Sequence, residues 1–176
     1  MRVTLVTITY ASEQRLDDLF DAKYGFGQVP NNQEIRYKGF TIYMKPDEFL
    51  ELAKPTDTEK NHQFYVDAIK NGKRMGYPFF QVELDKDYRD NPAWRVTAHE
   101  GRHRASAVKA VYGRNVLIPV HIWGHNFRNR SLTEEMLSQP FIPEGGAGVR
   151  TTLFSRHVVD KDSKNLYIGS NPQSTG

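Results

Sequence analysis

WRVTAHEGRHRA, residues 94–105, decides how this chain is read. It contains H-E-x-x-H from His99 to His103, the zinc signature of many metalloproteases. It also reads as a strand, a tight turn at Glu100-Gly101, and a helix opened by Arg102, His103 and Arg104. The zinc reading needs helix before, through and after the motif, so that both histidines share one face and the glutamate activates water. Trp94, Val96 and Thr97 favour a strand instead. Gly101 in mid-helix would cost about 1 kcal/mol relative to alanine. On a strand-turn-helix, His99 and His103 fall on different elements and a third ligand is still needed. His121 and His125 repeat the four-residue spacing, but across a strand end and a glycine. No structural zinc is expected, and a zinc hydrolase stands only as an alternative.

The second reading uses the same residues to hold an anion. A glycine between strand and helix lets the backbone turn tightly and approach a ligand. The first helical N–H groups have no intrahelical acceptor, and the helix dipole places partial positive charge beside them. Arg102, His103 and Arg104 add three basic side chains with no acid among them. A phosphate site at Gly101–Arg104 is therefore expected. The plainer alternative makes Arg102 and Arg104 solvated surface charges.

Working outward, the pattern is that of a single α/β domain. The stretch 3–10, VTLVTITY, is β-branched and predicts a strand. Leu16, Leu19 and Phe20 share one face of a short helix ending near Gly25. Residues 34–44 predict a strand with Phe40, Ile42 and Met44 on one side, after a break at Gly39. Pro46 opens a short helix that Pro55 stops, and Asp47 and Glu48 suit its positive start. A longer helix spans 58–72, with Phe64, Tyr65, Ala68 and Ile69 on its buried side. A turn and strand follow at 76–85, then a polar connection and the strand of residues 94–98. After the turn, Ala105, Val108 and Tyr112 mark the buried face of a helix that Gly113 ends. Residues 116–123 predict a strand that Pro119 places at an edge or a bulge. Ser131 and Glu134 form a capping box before a short helix. PEGGAG, 143–148, reads as a flexible loop, and 149–160 as one more strand. Residues 161–176 are expected to be a flexible tail.

Composition bounds the function classes. The 176 residues are 38% hydrophobic and 26% charged, which predicts a folded domain. The net charge of +3 permits a polyanionic partner without demanding one. The absence of cysteine removes disulfides, thiolate metal sites and every cysteine mechanism. Apolar runs are too short to span a membrane. The opening MRVTLVTITYASEQ lacks a signal peptide's continuous apolar core, so a cytoplasmic location is expected.

The run PFFQVELD, then WRVTAHEGRHRASAVKAVYGRNVLIPVHI, resembles the core of the ParB and sulfiredoxin superfamily. That core has a helix, a G-x-P-F/I turn, a strand, a short excursion, a second strand and a G-x-H-R or G-E-R-R turn. An alanine-rich helix, a "G…IPV" segment and a strand complete it. Residues 58–72 and MGYPFF fit its upstream part, and MKPDEFLELAKP, 44–55, is similar to a segment that precedes ParB-like cores in large phage polyproteins. The resemblance implies a small mixed sheet with helices on it. The domain would span residues 1–160, with its core at about 56–123 and N- and C-terminal elaborations.

Carried over by position, the resemblance implies that Gly101, His103 and Arg104 form a nucleotide-phosphate turn. Glu100 falls where the superfamily's serine kinases carry an acidic residue. Arg102 stands where sulfiredoxins carry their reactive cysteine, which excludes that chemistry. SLTEEML is too short for the DNA-binding domain that follows the CTP site of partition proteins. The expected function is nucleotide binding, with action on phosphoanhydride or phosphodiester bonds as an ATPase, kinase or nuclease. Glu100, His103 and Arg104 would be catalytic. ATP is the first-choice ligand among nucleoside di- and triphosphates, with Mg²⁺ beside it. A non-catalytic nucleotide- or nucleic-acid-binding module, such as a phage accessory protein with a host-protein partner, is the alternative; it would act in the host cytoplasm.

Other candidates lie outside the turn. Thr56 and Thr58, after Lys54, are placed to reach phosphates or to cap the long helix. Glu83 and Asp85 are candidates for Mg²⁺ or base chemistry, or a solvated strand end. Phe127, Arg128 and Arg130 interleave aromatic and basic side chains, as a nucleic-acid contact or a solvated loop does. Trp94 and Trp123 read as packing residues.

Overall fold

A computed structural model describes residues 14–21, 35–55, 62–86, 89–124, 139–146, 159–160 and 165–168, with backbone alone for 35–40, 159–160 and 165–168. Among them the elements in chain order are β1 (Gln14–Arg15), a 3₁₀ turn (Asp17–Leu19), β2 (Ile35–Met44), α1 (Pro46–Leu52) and α2 (His62–Lys70). Then come β3 (Phe79–Lys86), β4 (Pro92–Glu100), α3 (Arg102–Tyr112), β5 (Val116–Trp123), β6 (Phe141–Ile142), β7 (Val159–Asp160) and β8 (Asn165–Ile168). The result is a mixed α/β fold. The main path of the sheet runs β6-β4-β3-β5-β2-β7, with β1 on β5 and β8 on β2.

Mixed polarity follows from the connections. The polar excursion after Lys86 returns β4 antiparallel to β3, with Phe79 opposite Glu100 and Lys86 opposite Pro92. The bulge between Gln81 and Val82 is the one irregularity of that ladder. Helix α3 then carries the chain past β3, so that β5 runs parallel to β3 on its other side. Strand β2 lies antiparallel to β5 from Gly39 opposite Trp123 to Met44 opposite Ile118.

Strand β5 is central and buried from Val116 to Ile122, not the edge that Pro119 suggests. Its register explains how the proline is tolerated. The His121 N–H donates to the Pro78 carbonyl, and the Leu117 carbonyl accepts from Leu16 N–H, on the edge shared by β3 and β1. By strand alternation the Pro119 nitrogen points to that same edge. There β1 pairs only up to Leu117 and β3 only from His121. The missing N–H therefore falls in the gap between two neighbours and costs no ladder bond.

The core lies between the sheet and the helices. Phe49 of α1 stacks on Phe80 of β3 with ring centroids 4.5 Å apart, and Phe80 in turn meets Phe141. Helix α3 packs against both α1 and α2, and Ala105, Ala107 and Val108 are its fully buried apolar residues. Ile42, Met44, Ile118, Val120 and Trp94 complete the interior.

Several expectations are corrected. The helix expected over Leu16, Leu19 and Phe20 is a two-residue strand and one 3₁₀ turn, although Leu16 and Phe20 are buried as foreseen. Gly39 does not break β2, which runs on from Ile35. Val66 is buried on α2 where Phe64 was expected, and Phe64 is 37% exposed. Tyr112 is 43% exposed, and Val111 packs in its place. Within the expected tail, Asn165–Ile168 pairs with Ile35–Lys38. The strand expected at 3–10, the capping box at Ser131 and the side chain of Phe40 lie outside the described residues.

Candidate functional site

Strand β4 runs through His99 to Glu100, Gly101 makes the turn, and α3 begins at Arg102. His99 and His103 are thus on different elements, and H-E-x-x-H does not form the shared helical face of a zinc protease. Among the described residues there is no group of three or more metal-ligating side chains.

Gly101 caps α3 with φ +113°, a backbone conformation that side-chain-bearing residues rarely adopt. A Cβ there would meet Pro78 Cβ at 2.7 Å and Arg104 Nη2 at 3.2 Å. The glycine therefore lets β4 turn into α3 beneath the Gly-Tyr-Pro segment, a packing role besides any close approach of a ligand. Ala105 N–H donates to the Gly101 carbonyl as the first helical bond. The amides of residues 102–104 precede it, and the glycine has no side chain to cap them.

Arg104 is 2% exposed, not the surface group expected of a ligand-binding arginine. Its Nη1 donates to the Gly76 carbonyl at 2.6 Å, which ties α3 to the turn before β3. Burial works against its charge, while Tyr65 and Glu100 support it. Glu100 is raised above the usual carboxylate range, because burial outweighs the opposing fields of Arg104, His99 and His103. Tyr65 of α2 is raised too, by burial first. A guanidinium does not lose its proton in a protein. The buried positive charge thus stands beside the positive end of α3, and Glu100, which supports it, is itself raised by burial.

Arg102 turns the other way. Its Nη1 donates to Leu50 O at 2.9 Å and Ala53 O at 3.1 Å, closing the last carbonyls of α1. That is neither a solvated charge nor a free phosphate ligand. Ser106, one turn along α3, pairs with His62 Nδ1 at 2.9 Å.

Sequence reasoning missed Glu144. It lies in the turn after β6, a segment read only as a flexible loop. Parallel pairing of β6 with β4, Trp94 opposite Phe141, brings it to the site. His99 Nδ1 and Glu144 Oε1 share a hydrogen bond, and the two side chains are only 12% and 19% exposed. The same oxygen accepts Lys54 N–H at 3.1 Å, and Glu144 N–H donates to Leu52 O at 3.0 Å. No local pattern marks this residue, because its partners are 45 and 90 positions away.

The structure does not bring Glu83 and Asp85 to the turn. They stand four and six positions along β3 from Phe79, the residue opposite Glu100. At the strand rise this is roughly 13 and 20 Å. Glu83 is exposed, and Asp85 is held by Arg95 at 2.6 Å, which keeps its carboxyl below the usual range. Trp94 is buried packing, and Trp123 meets Phe79 at 5.9 Å. Thr56, Thr58, Phe127, Arg128 and Arg130 lie outside the described residues; Lys54, just before the threonines, is anchored beside His99 through Glu144. No helix among the described residues is long and apolar enough to cross a membrane.

No family model matches the chain, and no characterised protein or solved structure is similar to it at a significant level.

Proposed function

We propose that the protein binds the phosphates of a nucleotide at the start of α3 and acts on a phosphoanhydride or phosphodiester bond there. One observation carries this. Helix α3 opens at a glycine that has no capping side chain, beside the buried Arg104, and Glu100, which supports that charge, is itself raised toward its neutral form. The buried guanidinium and the positive end of the helix act together there, and a phosphate offsets them. The resemblance of the strand-turn-helix to ParB-like proteins favours a nucleotide as the carrier of that phosphate, with ATP the first choice and Mg²⁺ as partner ion.

The geometry refines the roles. The backbone amides and His103, half-buried in the first turn of α3, are the direct contacts. Arg104 acts from below as a fixed charge. Glu100 supplies a group that gains or loses a proton beside the phosphate. The commitment of Arg102 and Arg104 to backbone carbonyls favours a second reading, a binding module without turnover, since two candidate phosphate ligands already serve the fold.

Thermal shift and calorimetry with ATP, ADP, CTP and pyrophosphate, with and without Mg²⁺, test the reading. A ligand at a hundred times its Kd adds about 2.7 kcal/mol to stability. No shift with any of these at millimolar concentration sinks the phosphate site. Binding without phosphate release selects the second reading.

A further inference from the structure

We propose that His99 is the general base of this site and that Glu144 is its positioning residue, set against it by the turn after β6. The inference rests on the nucleotide reading above and deepens it. An ionised carboxylate can only accept, so the His99–Glu144 bond places the ring proton on Nδ1. Nε2 then keeps its lone pair. It makes no hydrogen bond among the described residues, and the side chain as a whole keeps 12% of its surface exposed. The ring is held edge-on to Phe49 at 6.3 Å, which fixes its plane as the carboxylate fixes its tautomer.

Glu144 is itself fixed at three points. Its oxygen holds His99 and the Lys54 amide, and its own amide holds Leu52 O. A carboxylate that only balanced surface charge would not be tied to the backbone at both ends of its residue. The arrangement puts an oriented imidazole two residues before the glycine that opens α3. Glu100 is the less oriented base, since no described side chain hydrogen-bonds its carboxylate.

The step balances as follows. The oxygen of water forms a bond to the terminal phosphorus of a nucleoside triphosphate. The bridging P–O bond breaks, and its electron pair leaves with the diphosphate. The water proton moves to Nε2 of His99, while the Nδ1 proton stays in its bond to Glu144, which then faces an imidazolium.

The test uses the full chain with Mg²⁺-ATP, and pyrophosphate as a second binding probe. Nitrogen-15 NMR at pH 8 should find the His99 proton on Nδ1 in the wild type. His99→Gln should lower phosphate release on the order of 100-fold or more, with ATP affinity within about threefold of the wild type. Glu144→Leu removes the acceptor, and a neutral imidazole without one favours its proton on Nε2. The variant should therefore move the proton to Nε2 and lower kcat about tenfold or more at little-changed KM. A wild-type proton on Nε2 overturns the proposal, as does wild-type turnover in His99→Gln. So does a rate loss in Glu144→Leu with the tautomer unchanged, which would mark a merely structural role. Wild-type protein that binds ATP without turnover overturns the base and leaves the phosphate site standing. Protein that binds neither ATP nor pyrophosphate removes the nucleotide reading and the base with it. The tautomer measurement needs only the wild type, so it decides even if a variant fails to fold.

Discussion

The Cβ that Gly101 lacks would stand 2.7 Å from Cβ of Pro78, closer than side chains approach. Both conditions that demand glycine coincide at this point, the positive φ and the close neighbour. Gly101→Ala should therefore cost on the order of 1–3 kcal/mol, from backbone strain and displacement of the Pro78 turn together. A denaturant titration measures it. An alanine variant as stable as the wild type would mean that neither constraint operates.

Arg104 differs from an ordinary phosphate-binding arginine because it is part of the interior. Arg104→Ala opens a cavity and leaves the Gly76 carbonyl without its donor, and the cost should be about 2–4 kcal/mol. In a domain of this size that lowers Tm by roughly 5–15 °C. Arg104→Met, which refills much of the volume, should recover part of the loss without recovering nucleotide affinity. A Tm within two degrees or so of the wild type in Arg104→Ala would show the side chain to be free of the fold.

Arg102 gives the complementary case. Its two bonds to Leu50 O and Ala53 O close α1, so Arg102→Ala should cost about 1–2 kcal/mol. Its backbone amide remains at the start of α3, so ATP affinity should stay within about threefold. A tenfold loss of affinity at unchanged stability would instead make the side chain a ligand group.

These two arginines also show where sequence was enough. The strand, the glycine turn and the helix were legible because β-branched residues, a glycine and an alanine-rich run follow each other directly. Helical spacing carries a sign of Arg104 burial as well. It stands four before Val108 and seven before Val111, on the face that packs inward. Its charge points to the surface and its period points inward, and the period prevails. Tyr112 follows Ala105 and Val108 at helical spacing, yet the buried face turns through Val111 instead. Pro119 was misplaced because no local signal shows that β1 and β3 leave a gap beside it. Glu144 was illegible for a deeper reason. Its role depends on a parallel pairing between strands over 40 positions apart, Trp94 with Phe141. Nothing in PEGGAG encodes that partner.

Glu100 yields the last prediction, on pH. Its folded-state carboxyl is raised above the ordinary 4.5, chiefly by burial. Between 4.5 and that higher folded value, the folded state keeps a proton that the unfolded state has released. Stability falls with pH wherever the folded state binds more protons, so this contribution is fully present below 4.5 and is lost as pH rises through the folded value. Glu100→Gln removes the ionisation and keeps the shape. The variant should gain stability relative to the wild type at pH 7 and lose that advantage at pH 4. Paired melts at the two pH values check the sign, and an advantage that grows in acid would contradict it. Binding supplies an independent readout. Removing a negative charge beside the phosphates should leave ATP affinity equal or tighter. If affinity for Mg²⁺-ATP instead falls tenfold while affinity for metal-free pyrophosphate is kept, the ionised Glu100 carboxylate is a metal ligand, and burial serves to be overcome when the cation arrives.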